Sequence, residues 1–93
     1  MSSNAMAKKP AITAEVAADW IVNYLAKRLN VAPSSIKREV VFSEYGVDSM
    51  LAVVMSGDIA NWTGEEVLPN VLYEYPTVKA LAEHIVSLVA SKR

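Results

Sequence analysis

The chain contains no cysteine, and this absence excludes several kinds of chemistry at once. Without a thiol, the chain cannot form a disulfide bond, a thiolate nucleophile or a cysteine-ligated metal site. The single histidine, His84, cannot build a multi-histidine metal centre either. His84 falls in the last predicted helix, far along the sequence from any candidate nucleophile, and we expect its side chain to be solvated. We therefore expect neither catalytic residues nor a metal site.

The chain also lacks an excess of charge of either sign, because nine basic residues are balanced by ten acidic ones and the net charge is −1. No dense basic stripe is available to neutralise phosphates, which argues against a nucleic-acid partner and against a helix-turn-helix DNA reader. No apolar run approaches the roughly 20 residues of a membrane span, and no secretory signal is recognisable. These absences predict a cytoplasmic protein with neither a nucleic-acid nor a membrane partner.

The chain does contain enough apolar residues for one folded domain. Its 93 residues are 53% hydrophobic and 20% charged, which is typical of a globular protein and too short for a second core. The first letters, MSSNAM, are typical of an expression-vector remnant, and AKKP follows as a short basic segment. We predict a flexible lead-in over residues 1–10 and one domain over residues 11–93, with nothing that requires more than a monomer.

Apolar residues recur at helical spacing in three long segments, each preceded by a residue that can cap a helix N-terminus. A short helical turn that opens at a proline is predicted between the second and third segments. The four predicted elements are a helix from Thr13 to Leu29, a helix from Ser49 to Thr63, a short helix from Pro69 to Glu74, and a helix from Thr77 to the basic end at Lys92 and Arg93. No convincing strand appears, so the predicted fold class is all-α: a small bundle of three main helices plus one short helix.

The connection over residues 31–48 carries more apolar residues than a flexible linker would. We expect Ile36 and Phe42 to pin it to the core as an ordered loop. Gly46 gives this loop the freedom to turn sharply before the second helix begins.

The second helix is apolar on two sides. One face carries Leu51, Met55, Ile59 and Trp62, and another carries Met50, Val53 and Val54. Such a helix is either buried all round or exposes a patch for a partner. Gly57 lies inside it at a cost of about 1 kcal/mol relative to alanine, which suggests close packing at that position.

The stretch EYGVDSM, residues 44–50, ends the loop and begins the second helix. Asp48 is the expected N-cap, and Ser49 presents a hydroxyl beside it. A helix N-terminus offers unpaired N–H groups and a partial positive charge, which favour an attached or bound phosphate. On these two residues alone, simple capping is the better explanation, so the surrounding pattern has to decide.

That pattern resembles the signature of the acyl carrier proteins, and most closely the carrier domains of modular polyketide synthases. The matching segments are FSEYGVDSMLAVVM over residues 42–55, the dipeptide LP at residues 68–69 and YPTVKALAEHI over residues 75–85. The resemblance extends from about Thr13 onward. It implies that Ser49 carries 4′-phosphopantetheine, transferred from coenzyme A by a separate phosphopantetheinyl transferase that uses magnesium.

The resemblance also implies a non-catalytic shuttle. The arm would carry acyl or polyketide intermediates as thioesters, in polyketide or fatty acid biosynthesis, to acyl-loading, ketosynthase or other synthase domains. Asp48 would cap the helix and help engage the transferase and its metal. Met50 would flank the arm and contact visiting enzymes.

Two features place the chain within the wider carrier superfamily. Peptidyl carriers usually show two glycines and a histidine before the serine, whereas residues 46–48 are Gly-Val-Asp here, which favours an acyl carrier. Carriers of the discrete fatty-acid type usually have several acids along the second helix, but here Asp58 is the only one. We therefore expect partners to dock on an apolar patch that includes Met50, Val53 and Val54, helped by tethering.

Alternatives remain open on the sequence alone. The nearest rival is a carrier of another thiotemplate system, either a peptidyl carrier or a discrete carrier for an acyl-activating ligase. A rival from a different class is an unmodified helical interaction module that binds partners through its apolar second helix. In that module Ser49 would be only a cap residue. Separately, Leu51 is as readily a core residue as a docking residue.

Overall fold

The structure is a computed structural model that describes residues 12–90. Its four α-helices are α1 (Ala14–Leu29), α2 (Ser49–Thr63), α3 (Val71–Glu74) and α4 (Val78–Ala90). Two 3-10 turns, Pro33–Ser35 and Phe42–Tyr45, interrupt the long connection between α1 and α2. Among the described residues the only β-type pairing is an isolated antiparallel bridge between Val41 and Thr77. The predicted all-α bundle of three main helices plus one short helix is confirmed.

Two predicted features lie outside the described residues. They are the lead-in over residues 1–10 and the basic end at Lys92 and Arg93. None of the helices within residues 12–90 has the length and apolarity that a membrane span requires.

Side-chain caps begin the long helices, as the sequence indicates. The Thr13 hydroxyl accepts a hydrogen bond from the Val16 N–H at 3.1 Å, and the Thr77 hydroxyl accepts one from the Ala80 N–H at 3.0 Å. α1 ends at Asn30 in the left-handed conformation, with φ of 59°. These caps satisfy backbone groups that a helix terminus leaves unpaired.

The short helix α3 begins two residues later than predicted. The segment around Pro69 forms a tighter turn instead, because the Val71 N–H bonds to the Leu68 carbonyl at 3.0 Å and the Leu72 N–H to the Pro69 carbonyl at 3.3 Å. These bonds span three residues, which is 3-10 rather than α geometry. The α-helical register is reached only at Val71.

One shared core holds the helices together, and α1 contributes to it chiefly by packing against α4. The largest side chains that are fully buried are Ile21, Leu25, Met55, Ile59, Val78, Leu81 and Ile85. They come from α1, α2 and α4 at three- and four-residue spacing, so each of these helices turns one apolar stripe inward.

The long connection is pinned to this core, as predicted. Ile36 and Phe42 are 6% and 3% exposed. At the surface the Arg38 guanidinium donates to the Glu15 carboxylate at 2.9 Å and to Asp19 at 2.8 Å, which ties the loop to α1. The hydrogen bond and charge of Arg38 lower the pKa of the Glu15 carboxyl.

The expectation of close packing around Gly57 is wrong. Gly57 is exposed, and a β-carbon added there would meet nothing within 4 Å. The fold of this chain therefore does not require a glycine at this point of α2.

Candidate functional site

Ser49 is the first residue of α2, and its side chain is exposed. The residue before it, Asp48, has extended backbone geometry and caps the helix. Its carboxylate accepts the Leu51 N–H at 2.9 Å, and its backbone carbonyl accepts the Ala52 N–H at 2.9 Å. The predicted cap is confirmed, and it presents the Ser49 hydroxyl at the very start of a 15-residue helix.

The loop before Ser49 has a fixed path. Phe42 is buried, and its N–H donates to the Pro76 carbonyl at 2.7 Å. Gly46 adopts the left-handed conformation with φ of 80°, which glycine reaches without steric cost. The Val47 N–H then returns to the Phe42 carbonyl at 3.3 Å. This turn places Asp48 at the helix entrance, which is the role predicted for Gly46.

A second anchor holds the same loop from the other side. The Tyr45 hydroxyl accepts the Lys37 N–H at 2.7 Å and donates to the Lys37 carbonyl at 3.2 Å. The ring of Tyr45 packs against the core cluster. The start of α2 is thus set by contacts on both arms of the connection, and Ser49 is exposed on a fixed backbone.

The residues at this helix start fit an attached phosphodiester. The first N–H groups of α2 have no intrahelical acceptor, and the helix dipole gives this end a partial positive charge. Only one of these groups, the Leu51 N–H, is taken by the Asp48 carboxylate. The exposed Ser49 hydroxyl therefore lies where an anionic group is favoured electrostatically.

An apolar groove of about 120 Å³ lies beside the helix start. Asp48 and Ser43 form its polar edge, and Ala52 of α2 forms part of its wall. Its remaining lining residues are Val41, Phe42, Val47, Leu72, Tyr73 and Pro76. The groove joins the loop, α2 and α3 next to Ser49.

Three apolar side chains of α2 face solvent near Ser49. Met50, Val53 and Val54 are 74%, 55% and 38% exposed. We call these three residues the α2 apolar face. Leu51 is half-buried and packs against the core cluster, so the core interpretation of Leu51 is confirmed.

A polar and aromatic contact between α1 and α2 was not predicted. The Tyr24 hydroxyl donates to the Asp58 carboxylate at 2.6 Å, and the Arg28 guanidinium donates to the same oxygen at 3.5 Å. Burial and the hydrogen bond to Asp58 raise the pKa of Tyr24 to about 12. The Trp20 ring stacks on Tyr24 at 5.1 Å and on Trp62 at 4.8 Å.

The sequence spacing predicts only the α1 side of that contact. Trp20, Tyr24 and Arg28 recur every four residues, which predicts one face of α1. Nothing in the spacing shows that Asp58 and Trp62 of α2 meet that face, because the pairing of the helices is a property of the fold.

His84 differs from the expectation of a solvated side chain. It is half-buried, and its ring stacks against Tyr75 at a centroid distance of 4.1 Å and an interplanar angle of 13°. Tyr75 lies just before the last helix, and the turn into α4 brings the two rings together. The stack gives His84 a packing role away from Ser49.

The fold and the exposed serine at a helix start are compatible with a carrier, and the comparisons with known proteins identify the family. Residues 19–85 match the family described as "Phosphopantetheine attachment site". The chain belongs to this family, which confirms the resemblance to acyl carrier proteins. It is a carrier protein domain, and the cofactor of this family is covalently attached 4′-phosphopantetheine.

Its relatives include both large and small proteins. Over 66 residues, 71% of this chain, it is 32% identical to a phenolphthiocerol/phthiocerol polyketide synthase of Mycobacterium tuberculosis. That stretch covers only 4% of the synthase. The chain is 29% identical over 77 residues to the acyl carrier protein TtuC of Teredinibacter turnerae, covering 83% of this chain and 88% of TtuC.

A solved structure with the same fold is a free-standing peptidyl carrier protein from an uncharacterised secondary metabolic pathway of Acinetobacter baumannii. It shares 38% sequence identity and superimposes with a TM-score of 0.77. The match covers 80% of this chain and 92% of that protein. The relatives therefore include acyl and peptidyl carriers.

Proposed function

We propose that the Ser49 hydroxyl is the attachment point of 4′-phosphopantetheine and that the chain is a non-catalytic carrier of acyl or polyketide intermediates. The observation that supports this most directly is the exposed hydroxyl of Ser49 at the N-terminus of α2, inside the matched family segment. The proposal includes the domain bounds of residues 11–93 and a monomer that works in the cytoplasm.

A separate phosphopantetheinyl transferase catalyses the attachment. The Ser49 oxygen forms a bond to the β-phosphorus of coenzyme A, the pyrophosphate bond breaks, and adenosine 3′,5′-bisphosphate leaves. The serine proton passes to a base of the transferase. The attached arm supplies a terminal thiol, which carries an acyl group as a thioester although the chain has no cysteine.

This chain's own residues position the reacting group. Asp48 holds the first turn of α2 through the Leu51 N–H, and this exposes the Ser49 hydroxyl. We assign Asp48 a second role toward the transferase and its magnesium, because its side chain is exposed beside the serine. Met50, at 74% exposure, contacts whichever enzyme reaches Ser49.

Partner enzymes dock on the α2 apolar face. A synthase would supply acyl-loading, ketosynthase or related domains, and the homologous segment lies within a polyketide synthase in Mycobacterium tuberculosis. Exposed apolar side chains of this size are buried favourably when a partner covers them. Weak contacts of this kind suffice where tethering raises the effective concentration.

Intact mass spectrometry tests the attachment. The protein is incubated with coenzyme A, magnesium and a broad-specificity phosphopantetheinyl transferase. We expect the mass of one phosphopantetheine to be added to the parent protein and none to Ser49→Ala. The matched control is Ser43→Ala, which removes an exposed serine beside the same site and should leave the addition intact. A folded parent protein that gains no mass would contradict the proposal.

A peptidyl carrier is the second candidate, and the 38% identity to the Acinetobacter baumannii peptidyl carrier favours it. The two candidates differ in what loads the arm. After phosphopantetheine attachment, the protein is offered an acyltransferase with malonyl coenzyme A and, separately, an adenylation domain with ATP and amino acids. We expect malonyl loading. Aminoacyl loading without malonyl loading would assign the peptidyl role instead.

A further inference from the structure

Arg38 fixes one point of the long connection, because it contacts two helices. Its guanidinium donates to Glu15 at 2.9 Å and to Asp19 at 2.8 Å on α1. Its backbone carbonyl accepts the Lys79 N–H at 3.0 Å, in the first turn of α4. The backbone at residues 37–38 is therefore held against α1 and α4 at once.

The Tyr45 hydroxyl joins the later part of the connection to this fixed point. It accepts the Lys37 N–H at 2.7 Å and donates to the Lys37 carbonyl at 3.2 Å, so one side chain satisfies both backbone groups of one residue. We call these two hydrogen bonds the loop clamp. The ring of Tyr45 packs against the core cluster, and a phenylalanine ring would pack in the same way. The hydroxyl therefore has a role separate from burial of the ring.

Three residues separate Tyr45 from Ser49, and the backbone bonds inside this turn are long. The Gly46 N–H bonds to the Ser43 carbonyl at 3.1 Å, and the Val47 N–H reaches its acceptor at 3.3 Å. Both distances exceed the most common N–H···O length of about 3.0 Å. The turn that leads to the helix start therefore depends in part on the loop clamp, which lies where the turn begins.

We infer that Tyr45 is a positioning residue for the modification of Ser49: its hydroxyl, anchored on α1 and α4 through Arg38, keeps the loop in the conformation that presents the serine. This inference rests on the proposed modification of Ser49. Tyr45 acts through the backbone that joins it to the helix start. A binding-competent conformation that is only partly populated weakens apparent binding by its fraction and leaves the bound complex unchanged. The expected signature of losing the clamp is thus a higher KM at constant kcat.

Modification kinetics of Tyr45→Phe test the inference. The concentration of carrier protein is varied at saturating coenzyme A and magnesium with a broad-specificity phosphopantetheinyl transferase, and the product is quantified by intact mass. We expect the KM of Tyr45→Phe to rise about threefold and kcat to equal that of the parent. This rise corresponds to a net hydrogen bond near the lower end of the usual range, because Lys37 is exposed to water.

Amide hydrogen exchange gives a second readout that needs no transferase. The Leu51 N–H, bonded to the Asp48 carboxylate at 2.9 Å, reports on the cap beside Ser49. In Tyr45→Phe this amide should exchange about threefold faster than in the parent, because local opening of the loop also opens the cap.

Tyr24→Phe is the matched control. It removes another phenol hydrogen bond, donated to Asp58 at 2.6 Å, which joins α1 to α2 and leaves the loop untouched. It should lose at least as much stability as Tyr45→Phe, yet its KM and its Leu51 exchange rate should be those of the parent. An equal rise of KM in both variants would overturn the positioning role, since lower stability alone would then explain it.

A double-mutant cycle tests the anchoring through Arg38. Arg38→Met removes the guanidinium that binds α1 and should raise KM to a similar extent. Combined with Tyr45→Phe it should add little, because both changes release the same segment. Rises of KM that multiply in the double variant would overturn this anchoring.

Two results would overturn the inference as a whole. One is a Tyr45→Phe variant with the KM and the Leu51 exchange rate of the parent, and the other is a lower kcat at constant KM. A parent protein that is never modified contradicts the proposed function instead. The exchange measurement would then still show whether Tyr45 holds the cap, so the two failures are distinguishable.

Discussion

The helices α2 and α4 are both rich in apolar residues, but they use them differently. In α4 the apolar residues with the lowest exposure, Val78, Leu81 and Ile85, lie on one inward stripe and are at most 1% exposed. In α2 the same stripe exists at Met55 and Ile59, yet a second set of apolar side chains faces solvent.

The apolar residues of α4 stabilise the fold, whereas α2 also has apolar residues that remain exposed. A stripe on one face is what a helix needs to join a core, and α4 shows little beyond that. The α2 apolar face lies outside the buried core cluster and begins one residue after Ser49. An exposed apolar surface next to the proposed attachment site is the expected arrangement for a carrier that partner enzymes contact.

The largest expected effect is on the free energy of unfolding, and it tests whether α4 contributes more to the core than the α2 apolar face does. Leu81→Ala removes a side chain that is fully buried and should lower the free energy of unfolding by about 3 kcal/mol. Val53→Ala on the α2 apolar face should change it by no more than about 0.5 kcal/mol. Urea unfolding followed by circular dichroism measures both. Equal losses for the two variants would mean that Val53 belongs to the core.

The next prediction concerns partner contact. Val54→Glu places a charge on the α2 apolar face and should slow acylation of the phosphopantetheine-bearing protein by a loading enzyme about tenfold, because an interface would bury an unpaired charge. The melting temperature should hardly change, since Val54 is 38% exposed. Val31→Glu, in the loop after α1, is the matched control at 43% exposure and should be acylated normally. A large drop in melting temperature for Val54→Glu would assign Val54 to the core.

The smallest expected effect concerns the contact between α2 and α1, in which the Tyr24 hydroxyl donates a hydrogen bond to Asp58. Because the pKa of Tyr24 is raised to about 12, the unfolded chain loses the phenol proton first as pH rises. Stability from this contact should be complete below pH 10 and should decline as the pH approaches about 12. Tyr24→Phe should remove that decline and cost about 1 kcal/mol at neutral pH. Ultraviolet titration of the parent protein and Tyr24→Phe checks this, and a Tyr24 that titrates near its ordinary pKa value of 10.0 would contradict it.

The sequence predicted the elements well, because their signals are local. Thr13, Asp48 and Thr77 cap the long helices, and Gly64 ends α2, as their residue types indicate. The site was also placed by local signals, since Gly46 and Asp48 form the turn and cap that expose Ser49. The start of α3 was less well predicted, because a proline at a helix start is compatible with both 3-10 and α geometry.

Other features had no local signal. The stack of His84 on Tyr75 and the hydrogen bond from Tyr24 to Asp58 join residues from different elements. The open space around Gly57 is likewise visible only when the neighbouring helices are in place. Sequence spacing shows which residues share a helix face, but not what that face meets.

By itself, the amino-acid sequence determined the helices, their caps and the position of Ser49 at a helix start, because capping and apolar periodicity act within a few residues. The carrier family followed from the resemblance of its motifs to those of acyl carrier proteins. Only the tertiary structure decided which apolar residues of α2 are buried and which are exposed. It also decided that the one acid of α2 is held by α1. Both outcomes depend on how helices distant in sequence pack around one core, and no local pattern fixes that packing.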